Sequence, residues 1–218
     1  MCFSATASFT AGAVLLAVGS VTGRRAYRMQ RRADLPFALI PLWFGVQQQL
    51  EGALWLTFPN KAPCLNVGLT QAYSLFSQVI WPIYVPVAVL LMETVPWRRT
   101  VLLGIALAGC AAALFLLSYL LRLRVVAQVS GQHIVYIFPH FHVLAASGLY
   151  LLSTCVSPLF SSQRAVWLFG VAATASFIAA YTVYTTWFIS VWCFFAAGLS
   201  GIVWLHFRQR GSSLLFAK

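Results

Sequence analysis

Seven long apolar runs dominate this chain of 218 residues. Each run is close to the roughly 20 residues that a helix needs to cross the hydrocarbon core of a bilayer. Only 8% of the residues are charged, whereas charged residues make up about a quarter of an ordinary soluble domain. The sequence therefore predicts one all-α membrane domain over residues 1–218, a bundle of seven transmembrane helices. The predicted spans are residues 4–22, 36–58, 69–92, 101–121, 142–160, 164–185 and 187–207.

The distribution of basic residues predicts the orientation of the bundle. The net charge is +11, and 11 of the 14 Lys and Arg residues lie in or beside the segments that follow spans one, three, five and seven. Because cytoplasmic loops are enriched in Lys and Arg, the N-terminus is predicted outside and the C-terminus in the cytoplasm. Basic residues confined to the ends of apolar runs favour attraction to anionic lipid headgroups over binding of nucleic acid.

The longest interruption between apolar runs, residues 122–139, predicts a short external β-hairpin between spans four and five. Residues 125–129 and 133–137 are short β-prone runs, and Ser130 and Gly131 between them are typical of a turn. We expect this hairpin to lie over the end of the helical bundle.

Two of the three acidic residues lie at or within a predicted span. Glu93 closes span three beside Arg98 and Arg99, and a salt bridge or an interfacial anchor is predicted there. Glu51 instead lies inside span two, close to a run of three glutamines. A carboxylate at membrane depth must face protein or water, so Glu51 is a functional-site hypothesis.

The polar residues around Glu51 fall on one face of the predicted helix. At roughly 100° per residue, this face contains Phe44, Gln47, Gln48, Glu51 and Trp55. Gln49 points the other way. Two explanations follow: Glu51 belongs to a site for a ligand, proton or metal ion, or it is a protonated carboxyl that bonds neighbouring glutamines and holds helices together.

Polar groups from other spans share the outer half of the predicted bundle with Glu51. Their common depth predicts a polar cavity that opens outward and is centred on Glu51. The residues predicted to bind a ligand there are Ser4, Gln47, Gln48, Glu51, Trp55, Gln78, Trp81, His133, Tyr136, Tyr181, Trp192 and Cys193.

Three residues near the outer surface are candidates for metal binding. His140 and His142 are two positions apart, so both point the same way if this loop is extended, although histidines of an interfacial loop without metal are the alternative. Cys2 is a third candidate ligand. It is also a candidate nucleophile if Met1 is removed, a disulfide partner for Cys64 or Cys193, or a small residue at a helix start.

The opening Met-Cys-Phe-Ser-Ala of residues 1–5 resembles the start of a family of bacterial multi-pass membrane proteins known as a domain of unknown function. The likeness continues through Gln47-Gln48-x-x-Glu51-Gly52, Trp81-Pro82, His133 with Tyr136, and the run 188–197. It implies a bacterial inner-membrane protein. It also implies a shared site drawn from Cys2, Ser4, Gln48, Glu51, His133, Tyr136, Trp192 and Cys193.

The leading functional hypothesis is a membrane protein that binds a small ligand or metal ion in the cavity around Glu51, for sensing or transport. The alternative is an intramembrane hydrolase or transferase acting on a lipid or small substrate, with Glu51, His133 and Cys2 as candidate catalytic residues. An accessory subunit that docks on a partner membrane protein is a third possibility. The expected partners are the anionic lipids of the cytoplasmic leaflet and a small molecule or ion.

Overall fold

A computed structural model describes residues 4–60, 62–131, 133–137, 143–183, 192, 195 and 197–215 of the chain. The described part is mostly helical. Its elements are α1 Ala5–Arg28, α2 Leu35–Ala38, α3 Ile40–Thr57, α4 Pro63–Leu75, α5 Trp81–Met92, α6 Pro96–Arg122, β1 Val126–Ser130, β2 His133–Ile137, α7 Val143–Leu151, α8 Arg164–Val183 and α9 Ser200–Leu215.

Four helical segments of the described chain are long and apolar enough to cross a membrane. They are Ala5–Arg28, Pro63–Met92, Pro96–Arg122 and Arg164–Val183. The prediction of a helical membrane protein is confirmed at this level, while the number of spans and the orientation stay predictions. The segment Pro63–Met92 joins α4 to α5 through a π-helical turn, Phe76–Ile80, which directly precedes Trp81 and Pro82. A proline lacks the N–H that continues a regular helix, so a local irregularity is expected there.

The predicted hairpin is confirmed. β1 and β2 pair antiparallel with Ser130 opposite His133 and Val126 opposite Ile137. Gly131 occupies the turn with φ of +63°, a left-handed conformation that glycine adopts without steric cost. Ile134 and Tyr136 are buried on one face of β2, as the two-residue repeat of a strand requires.

Close packing of α1 on α3 holds the first two long helices together. Gly19 lies so near the backbone of Leu42 that no side chain fits between the helices. Gly12 similarly faces Gln49 and the carbonyl oxygen of Gly45. Small residues permit this approach, which is the usual way in which helices associate in lipid.

A side-chain hydrogen bond fixes the end of the same helix pair. The Thr22 hydroxyl donates to the carbonyl oxygen of Ala38 at 2.6 Å, in the turn that precedes α3. The Thr22→Val variant keeps the shape of the side chain, and we expect it to lose about 1 kcal/mol of unfolding free energy. Thermal unfolding in detergent measures this loss. Thr182→Val is the matched control, since the exposed Thr182 hydroxyl bonds only within its own helix, and equal losses in both variants would contradict the prediction.

Buried apolar side chains form two clusters along α3. Phe44 belongs to a large cluster toward one end of the bundle. We call this the arginine-rich end, because α1 finishes there with Arg24, Arg25 and Arg28. Leu54 belongs to a second cluster that includes the buried residues of the hairpin. Between Phe44 and Leu54 lie about two and a half turns of α3. Within them, residues 47–51 carry the polar face predicted from the sequence.

The turn between α5 and α6 is anchored by Glu93. One carboxylate oxygen accepts hydrogen bonds from the backbone N–H groups of Thr94 and Val95, both at 2.9 Å, and from the Ser162 hydroxyl at 2.8 Å. The other oxygen accepts from the Ser162 backbone N–H at 2.6 Å. The predicted salt bridge with Arg98 or Arg99 is wrong, because the carboxylate bonds these neutral donors and Arg99 donates to the Glu93 backbone carbonyl. Glu93 instead joins two turns, and its predicted role as an interfacial anchor stays a prediction.

Candidate functional site

Three polar side chains of α3 are completely buried within one and a half turns. Gln47, Gln48 and Glu51 each have no solvent-exposed surface. The indole N–H of Trp81 donates to the side-chain oxygen of Gln47 at 2.7 Å, and the Trp81 ring stacks on Phe44 with 4.0 Å between ring centroids. The predicted polar face therefore points into the protein. At the edge of this face nearest the arginine-rich end, Gln47 is held by Trp81, which stacks on Phe44.

Gln48 is the most unusual member of this group. Neither its amide nitrogen nor its amide oxygen has a hydrogen-bond partner among the described residues. A buried polar group without a partner costs about 1–3 kcal/mol, and Gln48 buries both a donor and an acceptor. A position that needs only structural stability would carry an apolar residue of the same size.

The contacts between α3 and the α4–α5 segment bracket two buried serines. Gln47 meets Trp81 at one end of the contact, and Thr57 accepts a hydrogen bond from Asn66 at the other. Glu51 lies between Gln47 and Thr57 on α3, and Ser74 and Ser77 lie between Asn66 and Trp81 on the facing segment. Both serines are buried.

A third serine is buried where α1 packs beside α3. The Phe9 ring packs against Gly52, so the start of α1 lies beside the end of α3. Ser8 is completely buried there, and its hydroxyl oxygen has no hydrogen-bond partner among the described groups. The Ser74 hydroxyl oxygen is in the same condition.

We call these residues the polar layer: Ser8, Gln47, Gln48, Glu51, Ser74 and Ser77. They come from three segments and lie between the two apolar clusters. Gln49 is excluded because it is only partly buried and its amide already has a partner, the Phe9 carbonyl oxygen, to which it donates at 3.2 Å. Among the described residues, the layer thus combines a carboxyl group, an amide whose donor and acceptor have no partner, and two hydroxyl groups that have none.

Aromatic side chains cover the hairpin side of the polar layer. Tyr73 of α4 and Tyr136 of β2 stack with 4.6 Å between centroids and an angle of 4° between their rings. Trp55, one turn beyond Glu51, packs edge-on against Phe58. His133, on the same strand as Tyr136, is half-buried. Burial lowers the pKa of the His133 imidazole below its ordinary value of 6.5, so this side chain is neutral at pH 7.

A small cavity lies on the arginine side of the polar layer. Its volume is about 30 Å³, enough for a water molecule, and Phe44, Trp81, Tyr150, Thr154 and Trp192 contribute to its walls. Trp192 packs edge-on against Tyr150. Trp81 and Trp192, two tryptophans from distant parts of the sequence that are predicted to share a site, therefore line the same cavity.

Comparison with known proteins places the chain in a family. The model of a family of unknown function, DUF6629, matches residues 1–216. The chain belongs to the DUF6629 family. The predicted resemblance to a domain of unknown function is thereby confirmed. No curated protein and no solved structure matches the sequence.

Other residues predicted to belong to the site of this DUF6629 protein lie apart from the polar layer or at its margin. Tyr181 is 58% exposed and stacks on Phe177. Ser4 is exposed and caps α1 through a hydrogen bond from the Ala7 N–H. Gln78 is half-buried in the π-helical turn.

Most of the predicted metal ligands and cysteines are not covered by the described part of the chain. Cys2, His140, His142 and Cys193 lie outside the described residues. In the part of the chain that is described, no three His, Cys, Asp or Glu side chains cluster as a metal site. Cys64 is an exposed thiol, and Cys2, its partner in the disulfide considered from the sequence, is among the residues that the structure does not describe, so this pairing stays a prediction.

Sequence reasoning missed the three serines of the polar layer as site residues. Ser8 stands out in the sequence only as part of a small-residue stripe, and Ser74 and Ser77 are ordinary within an apolar run. Their spacing of three residues places both on one face of the helix, which is a usable but weak signal. Their burial follows only from the packing of α4 and α5 on α3.

Proposed function

We propose that this DUF6629 protein binds a small polar molecule within its membrane domain, at the polar layer around Gln48 and Glu51, for sensing or transport. The observation that carries the proposal is the buried Gln48 amide, whose donor and acceptor have no partner among the described residues. Buried polar groups without a partner are rare in protein structures, and a water, ion or ligand that completes their hydrogen bonding is one established explanation.

The proposed topology has seven spans, with the N-terminus outside and the C-terminus in the cytoplasm of a bacterial cell, in the inner membrane. The strong bias of Lys and Arg toward alternate loops supports this orientation. In this arrangement the hairpin is external, and the polar layer lies in the outer half of the bundle. A ligand would then enter from the outside, past the hairpin.

The chemistry of the layer indicates the kind of ligand. Gln48 offers one donor and one acceptor, Glu51 offers a carboxyl group, and the serines offer hydroxyl groups that donate or accept. A compact molecule with both hydrogen-bond donors and acceptors suits this set. A metal ion remains a candidate through His140, His142 and Cys2, which the sequence groups near the outer surface.

An intramembrane enzyme is the second candidate, and one observation favours it. His133 is neutral at pH 7 because burial lowers its pKa, so it is able to accept a proton. Together with the Glu51 carboxyl it would supply an acid and a base on the hairpin side of the bundle. His133→Gln, which removes the base, would abolish turnover.

Ligand retention tests the proposed binding site. The wild-type protein is purified in mild detergent and then denatured. We expect it to release one kind of small molecule, in an amount nearly equimolar to the protein, which mass spectrometry identifies. Glu51→Gln and Gln48→Met are each expected to retain at least roughly tenfold less, since each removes polar contacts to the ligand.

Gln49→Met is the matched control for this experiment. It changes the neighbouring glutamine on the opposite face of α3, so the ligand should remain bound. Equal retention by all four proteins, or release of no small molecule from the wild type, would contradict the proposal.

A further inference from the structure

A wide apolar groove separates α1 from α9 on the side of the bundle. Its volume is about 800 Å³, which is within the range of sites that hold drug-sized molecules. Ala7 and Ala11 form one wall, and Gly198 and Gly201 form part of the other. Because alanine and glycine have at most a methyl side chain, the space between the two helices stays open. Its lining is predominantly apolar. A groove of this shape and polarity matches a hydrocarbon chain.

The groove leads toward positive charge at the arginine-rich end of the bundle. Trp204 lines the groove from α9, and the guanidinium carbon of Arg208, one turn further along, lies 5.0 Å from the Trp204 ring centroid. On α1, Val18 lines the groove. Arg25 lies two turns beyond Val18 on the same face of the helix, about 10 Å along its axis.

Arg25 carries the clearest sign of a missing anionic partner. The side chain is half-buried, and its Nη1 atom is fully buried with no hydrogen-bond partner among the described residues. A guanidinium group presents a planar fork of donors that fits the oxygens of a phosphate group. An anion at this position would satisfy Nη1 and offset the charge of the neighbouring arginines.

We propose that the groove between α1 and α9 is a specific binding site for one anionic phospholipid. An acyl chain lies against Ala11 and Gly201, and the phosphate group binds Arg25 and Arg208. The charge at one end and the apolar walls along the rest of the groove match this amphipathic ligand. An apolar transmembrane helix of a partner protein would fill the groove but would bring no anion to Arg25.

Native mass spectrometry of the detergent-purified protein tests the site, with dioleoylphosphatidylglycerol as the anionic probe and dioleoylphosphatidylcholine as the zwitterionic probe. We expect one phosphatidylglycerol molecule to remain bound, roughly tenfold more tightly than phosphatidylcholine. Arg25→Gln should abolish this preference. Arg24→Gln is the matched control, since it removes the same charge at the same depth from a side chain that points roughly 100° away around α1.

A second pair of variants tests the groove without changing charge. Ala11→Phe fills the groove and should prevent binding of both lipids at the site. Ala13→Phe adds the same ring to an exposed position of α1 outside the groove, and binding should be unchanged. Equal binding of the two lipids, equal effects of Arg25→Gln and Arg24→Gln, or unaltered binding to Ala11→Phe would overturn the proposal. Co-purification of a stoichiometric protein partner that phosphatidylglycerol does not displace would overturn it too.

Discussion

The Glu93→Ala variant is expected to lose about 3 kcal/mol of unfolding free energy, because four hydrogen-bond donors then lose their acceptor in a buried turn. Two of these donors are the backbone N–H groups of Thr94 and Val95 just before α6, and two belong to Ser162 in the turn before α8. The carboxylate therefore fixes the relative positions of α5, α6 and α8. Thermal unfolding in detergent measures the loss.

Ser162→Ala provides a graded control for this prediction. It removes only the hydroxyl donor and leaves the backbone N–H bond to Glu93, so its loss should be about 1 kcal/mol. If both variants unfold at the wild-type temperature, the carboxylate does not join the two turns.

The same network predicts how stability depends on pH. Burial by itself raises the pKa of the Glu93 carboxyl, but hydrogen bonds from Val95, Ser162 and Thr94 outweigh it, so the pKa lies below its ordinary value of 4.5. A group with a lowered folded-state pKa stabilises the protein above its unfolded-state value, and this contribution is lost as the pH falls through the folded-state value. The stability difference between the wild type and Glu93→Gln should therefore be constant near pH 7 and shrink below pH 4.5. A difference that grows on acidification would contradict this sign.

Gln48→Met is expected to raise the unfolding free energy of the ligand-free protein by about 1–3 kcal/mol. A methionine side chain has a similar length, and it removes a buried donor and a buried acceptor that have no partner among the described residues. The same substitution should weaken ligand retention at least tenfold, since these two groups are the proposed contacts. A gain in stability combined with a loss of binding is typical of a residue kept for function.

Gln49→Met should have the opposite sign in the same measurement. Its amide donates to the Phe9 carbonyl oxygen, so the substitution should lower the unfolding free energy by about 1 kcal/mol and leave the ligand bound. Thermal unfolding of delipidated, ligand-free protein compares the two variants directly. Destabilisation by Gln48→Met of the same size as by Gln49→Met would show that Gln48 is a structural residue of the helix pair.

The sequence predicted correctly those helices, strands and turns that a local pattern of residues determines. The runs of apolar residues predict helices, and two short β-prone runs about Ser130 and Gly131 predict the hairpin, since strand and turn geometry are local. The helical repeat likewise separates Gln48 from Gln49, and the structure places them on different faces of α3. The neutral donors around Glu93 were not predictable, because Ser162 is 69 residues away and only helix packing brings it close.

Hydropathy and charge in the sequence by themselves determined that this protein is helical, suited to a bilayer, and carries a buried carboxyl group, because in lipid the backbone must bond to itself and a charge must turn inward. Tertiary structure alone decided which polar groups of other helices are buried against α3. Ser8 and Ser74 are buried where α1 and α4 pack on α3, and the packing of α1 depends on contacts such as Gly19 against Leu42. Local periodicity specifies the face of a helix that is polar, but the depth of one helix relative to another is set by packing.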